Sequence, residues 1–470
     1  MSAAASLPPV PHADVDGIPE RIARLRARFD SGVTRPIEWR VAQLEKLEAM
    51  LRNNESALSE ALRADLRKPE IEGFMMDIGI VASDIGVMRK KLRSWMKPER
   101  VATPLPLQPA KSFVVRDPLG VVLIISPWNY PIQLAVAPLA AALAAGNVAV
   151  VKPSEMTPHT SAALARLIAA TFETDVVTCV EGGVHETTAL LAERFDHIFY
   201  TGNGRVGRIV MAAAAKHLTP VTLELGGKSP CIVDADCDLE TAARRIAWGK
   251  FVNCGQTCVA PDYVLVHRSR EEELVGLLAK NIREFYGDDP KQSPDLARIV
   301  SEQHVDRLAK LLESGTVAVG GGVDRADRWV APTVLRNVAP DSPAMQDEIF
   351  GPILPILAID DTEEAIRFVN ERDKPLALYV FTNRPAVEDA VLTRTSAGGV
   401  SVNAVVWHVG NFNLPFGGVG ESGMGAYHGR HGFETFSHKK SVLKKSTRID
   451  PKMAYPPYTK IKKALIKRFA

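Results

Sequence analysis

Two short segments carry residue types that together suit covalent chemistry at a carbonyl carbon. Glu224 precedes the pair Gly226-Gly227, and Cys258 ends the segment Asn253-Cys254-Gly255-Gln256-Thr257-Cys258. A cysteine thiolate can form a thioester, and a nearby carboxylate can activate the water that hydrolyses it. The segments therefore predict a thiol nucleophile, Cys258, and a water-activating base, Glu224.

The other cysteines are interpreted as packing residues or reduced thiols. The chain has five cysteines, and an odd, sparse set in a long chain indicates a reducing compartment. Cys254 and Cys258 form a C-x3-C pair without a second pair or a nearby histidine, which is weak support for zinc. We expect no metal site, and packing roles for Cys179, Cys231 and Cys237.

Length and composition indicate a globular protein of two or three domains. The chain has 470 residues, 46% of them hydrophobic, and a net charge of +2. So small a charge gives no global field that would favour nucleic acid. The first residues lack the pattern of a secretory signal, and no apolar run is long enough to span a membrane. We therefore expect a cytoplasmic protein.

Strands and helices alternate along most of the chain. The alternation runs from Val121 to Leu225 and again from Ile232 to Val402, after a helical first hundred residues. It predicts an α/β fold with two doubly wound domains. The predicted strands are Val121–Ile125, Val148–Val151, Val176–Val180, His197–Tyr200, Val221–Glu224, Ile232–Val233, Tyr263–His267, Leu354–Ile359, Ala377–Phe381 and Gly399–Val402. A β-branched run at Ser112–Arg116 precedes a turn signal, and Leu414–Gly425 is predicted to be a glycine-dense loop.

A glycine motif lies between a predicted strand and a predicted helix. The sequence from Gly202 to Gly207 reads G-x-G-x-x-G, a pattern that brings the backbone close to a phosphate. A plain glycine turn explains the same residues about equally well. The acid that usually follows about 20 residues later would fall near Glu224, but a strand end beside two glycines suits a catalytic carboxylate better.

Polar residues follow two other predicted strands. Lys152 and Glu155 follow Val148–Val151, where nucleotides bind in open α/β sheets, and could hydrogen-bond ribose hydroxyls. A solvated lysine and a helix-capping acid are the alternative. Asn129 follows Val121–Ile125 and could donate to an oxyanion, or simply cap the helix that begins near Pro131.

Together these motifs resemble the aldehyde dehydrogenase family, from about residue 18 to residue 445. The matching segments are Pro127-Trp128-Asn129, Lys152-Pro153-Ser154-Glu155, Glu224-Leu225-Gly226-Gly227-Lys228, Gly255-Gln256-Thr257-Cys258, Glu348-Ile349-Phe350-Gly351-Pro352 and Pro415-Phe416-Gly417-Gly418. Three further segments have sequences similar to those of the class 3 branch: His217–Lys228, Cys254–Tyr263 and Ser422–His428. This branch includes the fatty- and aromatic-aldehyde dehydrogenases.

The resemblance implies a role for each matching catalytic residue. Cys258 would attack the aldehyde, while Asn129 and the backbone N–H of Cys258 hold the oxyanion. Glu224 would activate water to release the acid. Glu348 would hydrogen-bond the nicotinamide ribose, and Phe350 would pack near the ring.

The resemblance also implies a nicotinamide cofactor, NAD, with NADP possible. Its remaining binding residues would be Lys152, Glu155, Gly202, Gly207, Trp128 and Leu225. Class 3 proteins often have threonine where this chain has Gly204, so this chain lacks a side chain near the cofactor at that position. Glu155 repels a 2′-phosphate and Lys152 attracts one; we expect NAD to be preferred.

The resemblance further implies domains and a homodimer. Residues 1–98 and 119–225 would bind NAD(P), 226–413 would form the catalytic domain, and 99–118 with 414–445 would form a small β bridging and oligomerisation element. Residues 446–470 would be a basic tail. Lys460 to Ala470 has an apolar stripe flanked by lysines, which suits weak membrane contact or, as the favoured alternative, a solvated or dimer-docked helix.

Two rival functions remain at this stage. An enzyme that transfers the acyl group to coenzyme A would not need Glu224 as a base. A protein that reuses the fold only for binding would need none of Cys258, Glu224 and Asn129. The presence of all three favours an enzyme that oxidises an aldehyde to an acid, and the resemblance to the class 3 branch implies medium- or long-chain aliphatic, or aromatic, aldehydes as its substrates.

Overall fold

A computed structural model describes residues 14–469. Its helices are α1 (Ile18–Asp30), α2 (Ile37–Asn53), α3 (Glu55–Leu66), α4 (Glu70–Gly73), α5 (Gly79–Trp95), α6 (Gln133–Ala145), α7 (Pro158–Thr171), α8 (Val184–Ala192), α9 (Gly204–Ala215), α10 (Leu239–Phe251), α11 (Glu271–Tyr286), α12 (Glu302–Leu311), α13 (Pro343–Gln346), α14 (Thr362–Asn370), α15 (Pro385–Arg394), α16 (Gly429–Thr435) and α17 (Lys460–Phe469). Its strands are β1 (Glu99–Val101), β2 (Ala110–Pro118), β3 (Val121–Ile125), β4 (Val148–Lys152), β5 (Val177–Cys179), β6 (His197–Gly202), β7 (Val221–Leu225), β8 (Pro230–Val233), β9 (Tyr263–His267), β10 (Thr316–Val319), β11 (Val323–Asp324), β12 (Trp329–Val330), β13 (Thr333–Arg336), β14 (Ile353–Ile359), β15 (Ala377–Phe381), β16 (Gly399–Val402), β17 (Gly423–Met424) and β18 (Ser437–Lys445).

The first sheet has the strand order β17-β7-β6-β3-β4-β5. Strands β3 to β7 are parallel, and β17 lies antiparallel at one edge. Every residue of β3 and β4 is buried, as expected for a parallel sheet covered by helices on both faces. The predicted doubly wound sheet is confirmed, and its polar residues follow the carboxyl ends of the strands.

The glycine-dense loop predicted at Leu414–Gly425 contains structure that the sequence did not reveal. Two of its residues form strand β17, in which Gly423 pairs with Glu224 and Met424 pairs with Leu223. A two-residue strand has too few positions to show an alternating pattern. The interpretation as a loop is therefore wrong at this point, and the strand covers the edge next to Glu224.

The second sheet has the strand order β10-β13-β14-β9-β8-β15-β16. All neighbouring strands are parallel except β10, which runs antiparallel to β13. The strands predicted in this half are present, whereas β10 and β13 were not predicted. Strand β10 is a mostly exposed edge strand, so its sequence lacks the buried apolar run that marks the central strands.

A third sheet joins β1, β2 and β18. Strand β18 pairs with β2 along its whole length, from Ser437 opposite Pro118 to Lys445 opposite Ala110. The turn after β2 therefore carries the chain out of this sheet into β3 of the first sheet. The predicted use of this region in oligomerisation stays a prediction.

The N-terminal helices cover the first sheet in two ways, because α1 packs directly on β3 and β4 whereas the others pack on helices. Helices α2 and α5 pack against α6, and α3 packs against α7. Helix α17 confirms a helical segment near the C-terminus, and its Ile461 is exposed. Ala470 lies outside the described residues. Within residues 14–469, no helix has both the length and the apolar character needed to cross a membrane.

Candidate active site

Cys258 follows a turn that has an unusual backbone. Asn253, Cys254 and Gly255 have φ values of 51°, 53° and 74°, in the left-handed region that most residues avoid. A Cβ at Gly255 would lie 2.3 Å from the carbonyl oxygen of Gly351. Only glycine fits at this position. The turn therefore packs directly against the backbone at Gly351, just before strand β14.

Side-chain hydrogen bonds fix the residues between this turn and Cys258. The Gln256 amide donates to the carbonyl oxygens of Asn253 and Arg298, both at 3.0 Å, and accepts from the N–H of Val300 at 2.9 Å. The Thr257 hydroxyl lies 2.7 Å from the Tyr130 hydroxyl. These buried bonds offset the strained backbone and position the next residue, Cys258.

The thiol of Cys258 lies in an environment that favours its neutral form. Burial is the main cause that raises its pKa, and the negative charges of Glu348 and Glu224 raise it further. The backbone N–H groups of Cys258 and Val259 act in the opposite direction. Because both carboxylates influence the thiol, the structure brings Cys258, Glu224 and Glu348 into one electrostatic neighbourhood.

Glu224 lies near the carboxyl end of β7 and is 3% exposed. Among the described residues, neither of its carboxylate oxygens has a hydrogen-bond partner. Burial therefore raises the pKa of the Glu224 carboxyl well above its ordinary range. A buried carboxylate without partners is unfavourable for stability but suits a general base, because its ionised form binds a proton strongly.

Asn129 reaches Cys258's loop from the carboxyl end of β3. Its side-chain N–H donates to the carbonyl oxygen of Gln256 at 3.0 Å, and its own carbonyl accepts from the Asn253 amide at 2.8 Å. An amide NH₂ group carries two donors, so one remains for a ligand. The bonds across the loop argue against a role limited to capping the helix that follows.

A buried ion pair anchors the segment that carries Asn129, and sequence reasoning missed it. The Lys68 ammonium group contacts Asp77 at 2.7 Å and the carbonyl oxygen of Asn129 at 3.0 Å, and both charged side chains are fully buried. Asp77 also accepts the N–H groups of Ile132 and Gln133. No local motif marks Lys68 or Asp77, because the backbone groups that they hold, at Asn129, Ile132 and Gln133, lie far away in sequence.

Glu348 lies against the glycine pair that follows β7. A Cβ at Gly226 would be 2.0 Å from Oε2 of Glu348, and Glu348 accepts the N–H of Gly227. Burial raises the pKa of the Glu348 carboxyl to about 8, and the charge of Asp262 contributes in the same direction. In the part of the chain that the structure describes, its Oε1 has no hydrogen-bond partner. This oxygen is available to a polar ligand.

Two lysines and an aspartate surround Glu348, and they too were not predicted. Lys228 contacts Asp262 at 2.5 Å, and Lys250 lies 3.8 Å from the same carboxylate. Asp262 accepts the N–H of Ile349 at 3.1 Å, which fixes the backbone beside Glu348. Burial lowers the pKa of Lys250 to about 8.

Aromatic side chains form one wall near this carboxylate. The rings of Phe350 and Trp128 meet edge to face with centroids 5.2 Å apart, and His304 packs on Trp128 at 5.4 Å. Phe350 has a φ of 48°, in the left-handed region. The structure thus places the predicted residues Trp128 and Phe350 side by side.

The remaining predicted residues lie at the carboxyl ends of β4, β6 and β7. Lys152 is buried, contacts the carbonyl oxygen of Pro153 at 2.7 Å and lies 3.6 Å from Glu155. A Cβ at Gly207 would be 3.0 Å from a methyl of Leu225, so this glycine lets α9 pack closely on β7.

The turn before α9 differs from the simplest expectation for a phosphate loop. Gly202 faces the Tyr200 hydroxyl, which a Cβ would approach to 2.3 Å, and the Asn203 side chain caps the N–H of Val206. Gly202 therefore allows close packing against Tyr200, and the backbone N–H of Val206 at the start of α9 already has a hydrogen-bond partner.

Comparisons with known proteins agree with this arrangement. The sequence model described as "Aldehyde dehydrogenase family" matches residues 4–442. The chain belongs to the aldehyde dehydrogenase family. It is 51% identical over 438 residues to "Aldehyde dehydrogenase, dimeric NADP-preferring" of Mus musculus, covering 93% of this chain and 97% of the relative.

Two further comparisons support the family and its fold. "Aldehyde dehydrogenase family 3 member A2" of Macaca fascicularis is 47% identical over 443 residues, covering 94% of this chain and 91% of the relative. A solved substrate-bound structure of Staphylococcus aureus AldH superposes with a TM-score of 0.94 at 46% identity, covering 96% of this chain and 99% of that chain.

The family and the fold predicted from the sequence are therefore confirmed. The chain is an NAD(P)-dependent aldehyde dehydrogenase, and its two parallel sheets are those of the family's α/β fold.

Gly226→Ala tests whether the position of Glu348 matters for this aldehyde dehydrogenase. The added Cβ would displace the Glu348 carboxylate and break its hydrogen bonds with the ribose. Loss of one or two hydrogen bonds to a charged group should raise the Kd for NADH at least about tenfold. Titration of NADH fluorescence measures the Kd. Gly276→Ala is the matched control because nothing lies within 4 Å of its Cβ. Equal Kd values for both variants would contradict the assignment.

Proposed function

We propose that this enzyme oxidises medium- and long-chain aliphatic and aromatic aldehydes to carboxylic acids through a thioester on Cys258. The observation that carries the proposal is the convergence of Cys258, Glu224 and Asn129 from three separate segments. The identity to family 3 relatives supports the choice of substrates.

The side chains divide the reaction between them. The Cys258 sulfur attacks the aldehyde carbon, and the free N–H of Asn129 with the backbone N–H of Cys258 stabilises the oxyanion. Bound NAD(P)+ supplies the hydride acceptor. Glu224 then takes a proton from water as that water attacks the thioester, and the C–S bond breaks to release the acid.

The described residues fit a nicotinamide dinucleotide. The unpartnered Oε1 of Glu348 would accept a ribose hydroxyl, and Phe350 with Trp128 would form a flat wall beside the ring. Lys152 and Glu155 would hold the second ribose. Gly202, Gly207 and Leu225 would shape the turn near the pyrophosphate.

The rivals explain fewer of these features. Transfer of the acyl group to coenzyme A would give no function to a buried carboxylate that has no partner elsewhere in residues 14–469, and Glu224 is such a group. A pure binding protein would gain nothing from the strained turn before Cys258. Hydrolysis of the thioester accounts for both.

We further propose the assembly and location of the enzyme. The Mus musculus relative is named dimeric, which supports a homodimer joined through residues 99–118 and 414–445; light scattering would measure its mass. The reduced cysteines support a cytoplasmic location, which cell fractionation would test.

Helix α17 carries several lysines, which support weak contact with an anionic membrane. Co-sedimentation with anionic vesicles, compared between the full chain and a chain without residues 460–470, would test this contact.

Cys258→Ala should abolish NADH formation from hexanal because it removes the nucleophile. Absorbance at the NADH band measures the rate. Cys254→Ala is the matched control: this cysteine is fully buried four residues earlier and should leave measurable activity. Retention of activity by the Cys258 variant would show that another group attacks the aldehyde.

Glu224→Gln should uncouple the two halves of the reaction. The amide cannot accept a proton from water, so one equivalent of NADH should form in a burst while steady-state turnover falls by about 10²-fold or more. Stopped-flow absorbance resolves the two phases. Steady-state turnover at the wild-type rate would exclude Glu224 as the hydrolytic base and revive the coenzyme A alternative.

The cofactor preference depends on the pair Lys152 and Glu155. The Glu155 carboxylate lies 3.6 Å from the Lys152 ammonium group and should repel a 2′-phosphate, so we expect a larger kcat/KM with NAD than with NADP. Glu155→Gln should lower the ratio of kcat/KM with NAD to kcat/KM with NADP by about tenfold, because the substitution removes one charge–charge interaction in a partly buried site. A larger kcat/KM with NADP in the unchanged enzyme would overturn this expectation.

A further inference from the structure

The turn before Cys258 begins with two consecutive non-glycine residues in the left-handed region. Asn253 and Cys254 have φ values of 51° and 53°, a conformation that residues with a Cβ seldom adopt. Both residues are fully buried. Backbone strain of this kind persists only where the surrounding groups hold it in place, so the bonds that hold Asn253 also determine where Cys258 lies.

Hydrogen bonds hold Asn253 on every side of its backbone. Its carbonyl oxygen accepts from the Gln256 amide at 3.0 Å, and its own side-chain amide donates to the carbonyl oxygens of Asn129 at 2.8 Å and Gln256 at 3.1 Å. These bonds come from the turn itself and from the oxyanion segment. The backbone N–H of Asn253 donates to Oε1 of Glu72 at 3.0 Å, which adds a bond from a third part of the chain.

Glu72 reaches the turn from α4, in the N-terminal part of the chain. It is 8% exposed, and α4 packs against α3 and against the short π-helix Phe74–Ile78 that follows it. A Cβ at Gly73 would lie 3.1 Å from a methyl of Leu62 on α3, so the two helices approach closely. The backbone that carries Glu72 is therefore fixed, and its carboxylate is a stationary acceptor for Asn253.

The charge of Glu72 strengthens this bond and costs stability. Burial raises the pKa of the Glu72 carboxyl to about 7; the charge of Lys68 and the N–H of Asn253 lower it, whereas the charges of Asp77 and Asp295 raise it. At about pH 8.5 the carboxyl is ionised, and a carboxylate accepts a backbone N–H more strongly than a neutral oxygen does. Because its pKa is raised on folding, the ionised side chain lowers the stability of the folded chain at that pH while it fixes the turn.

We propose that Glu72 is a positioning residue for the nucleophile, an inference that rests on the proposed role of Cys258. Its carboxylate holds the N–H of Asn253, and this bond keeps the turn in the left-handed conformation that places the Cys258 sulfur for attack on the aldehyde. Glu72 acts through the backbone of the turn rather than on the reacting atoms.

Glu72→Asp and Glu72→Gln separate the reach of the side chain from its charge. Aspartate keeps the charge but is one methylene shorter, so its carboxylate is withdrawn from the N–H of Asn253. Glutamine keeps the length and offers a neutral oxygen to the same N–H. With enzyme in excess over hexanal and NAD at saturation, stopped-flow absorbance at about pH 8.5 measures NADH formation in a single turnover. We expect its rate constant to fall at least about tenfold in Glu72→Asp and to stay within about threefold of wild type in Glu72→Gln.

The Kd for NADH distinguishes a displaced nucleophile from a general structural defect. It should equal the wild-type value in both variants, because the residues proposed to bind the cofactor are unchanged. Glu364→Asp is the matched control: it shortens another carboxylate that accepts a backbone N–H, that of Asp360 at 2.7 Å beside α14, and should keep the wild-type rate constant.

A wild-type rate constant in Glu72→Asp, or an equally slow one in Glu72→Gln, would overturn the positioning role of Glu72. So would a Kd for NADH that rises together with the loss of rate, because the defect would then extend beyond the turn. Single-turnover NADH formation by Cys258→Ala would instead contradict the proposed function.

Discussion

The active site depends on the buried ion pair between Lys68 and Asp77. Removal of one partner from such a pair typically costs about 3–5 kcal/mol, because the other charge stays buried alone. Here the pair does more than balance charge, since Lys68 holds the carbonyl of Asn129 and Asp77 holds the first N–H groups around α6. The N-terminal helices thereby fix the oxyanion segment of the first sheet, and Asn129 in turn holds the nucleophile loop.

A second constraint is electrostatic. Glu224, Glu348 and the Cys258 thiol lie close enough that charge on one opposes charge on another, and all are buried. Their raised pKa values favour the neutral forms, and this lowers the free-energy cost of burying these groups in the folded chain. The same arrangement gives each group a strong affinity for a proton when it ionises, and a positively charged ligand ring would shift the balance toward the reactive forms.

The sequence was informative where chemistry and fold are local. The apolar run Val121–Ile125 was sufficient to predict a strand of the first sheet, whereas the glycine three residues before Cys258 and the family motifs led to the proposed nucleophile and base. The contact of Lys68 with Asn129 and the pairing of Gly423 with Glu224 join segments that are far apart in the chain. Such contacts leave no periodic or spacing signal, so they required coordinates. The glycine motif at Gly202 was also ambiguous, because close packing and phosphate binding select the same residue.

The central claim is that the acyl group passes through the sulfur of Cys258 and no other thiol. Peptide mass spectrometry of the enzyme, quenched in acid during turnover of hexanal with NAD, tests this directly. The account predicts a hexanoyl group on the peptide that contains Cys258, on its second cysteine rather than on Cys254, and unmodified Cys179, Cys231 and Cys237. A hexanoyl group on any other cysteine, or none on Cys258 while NADH accumulates, would contradict it.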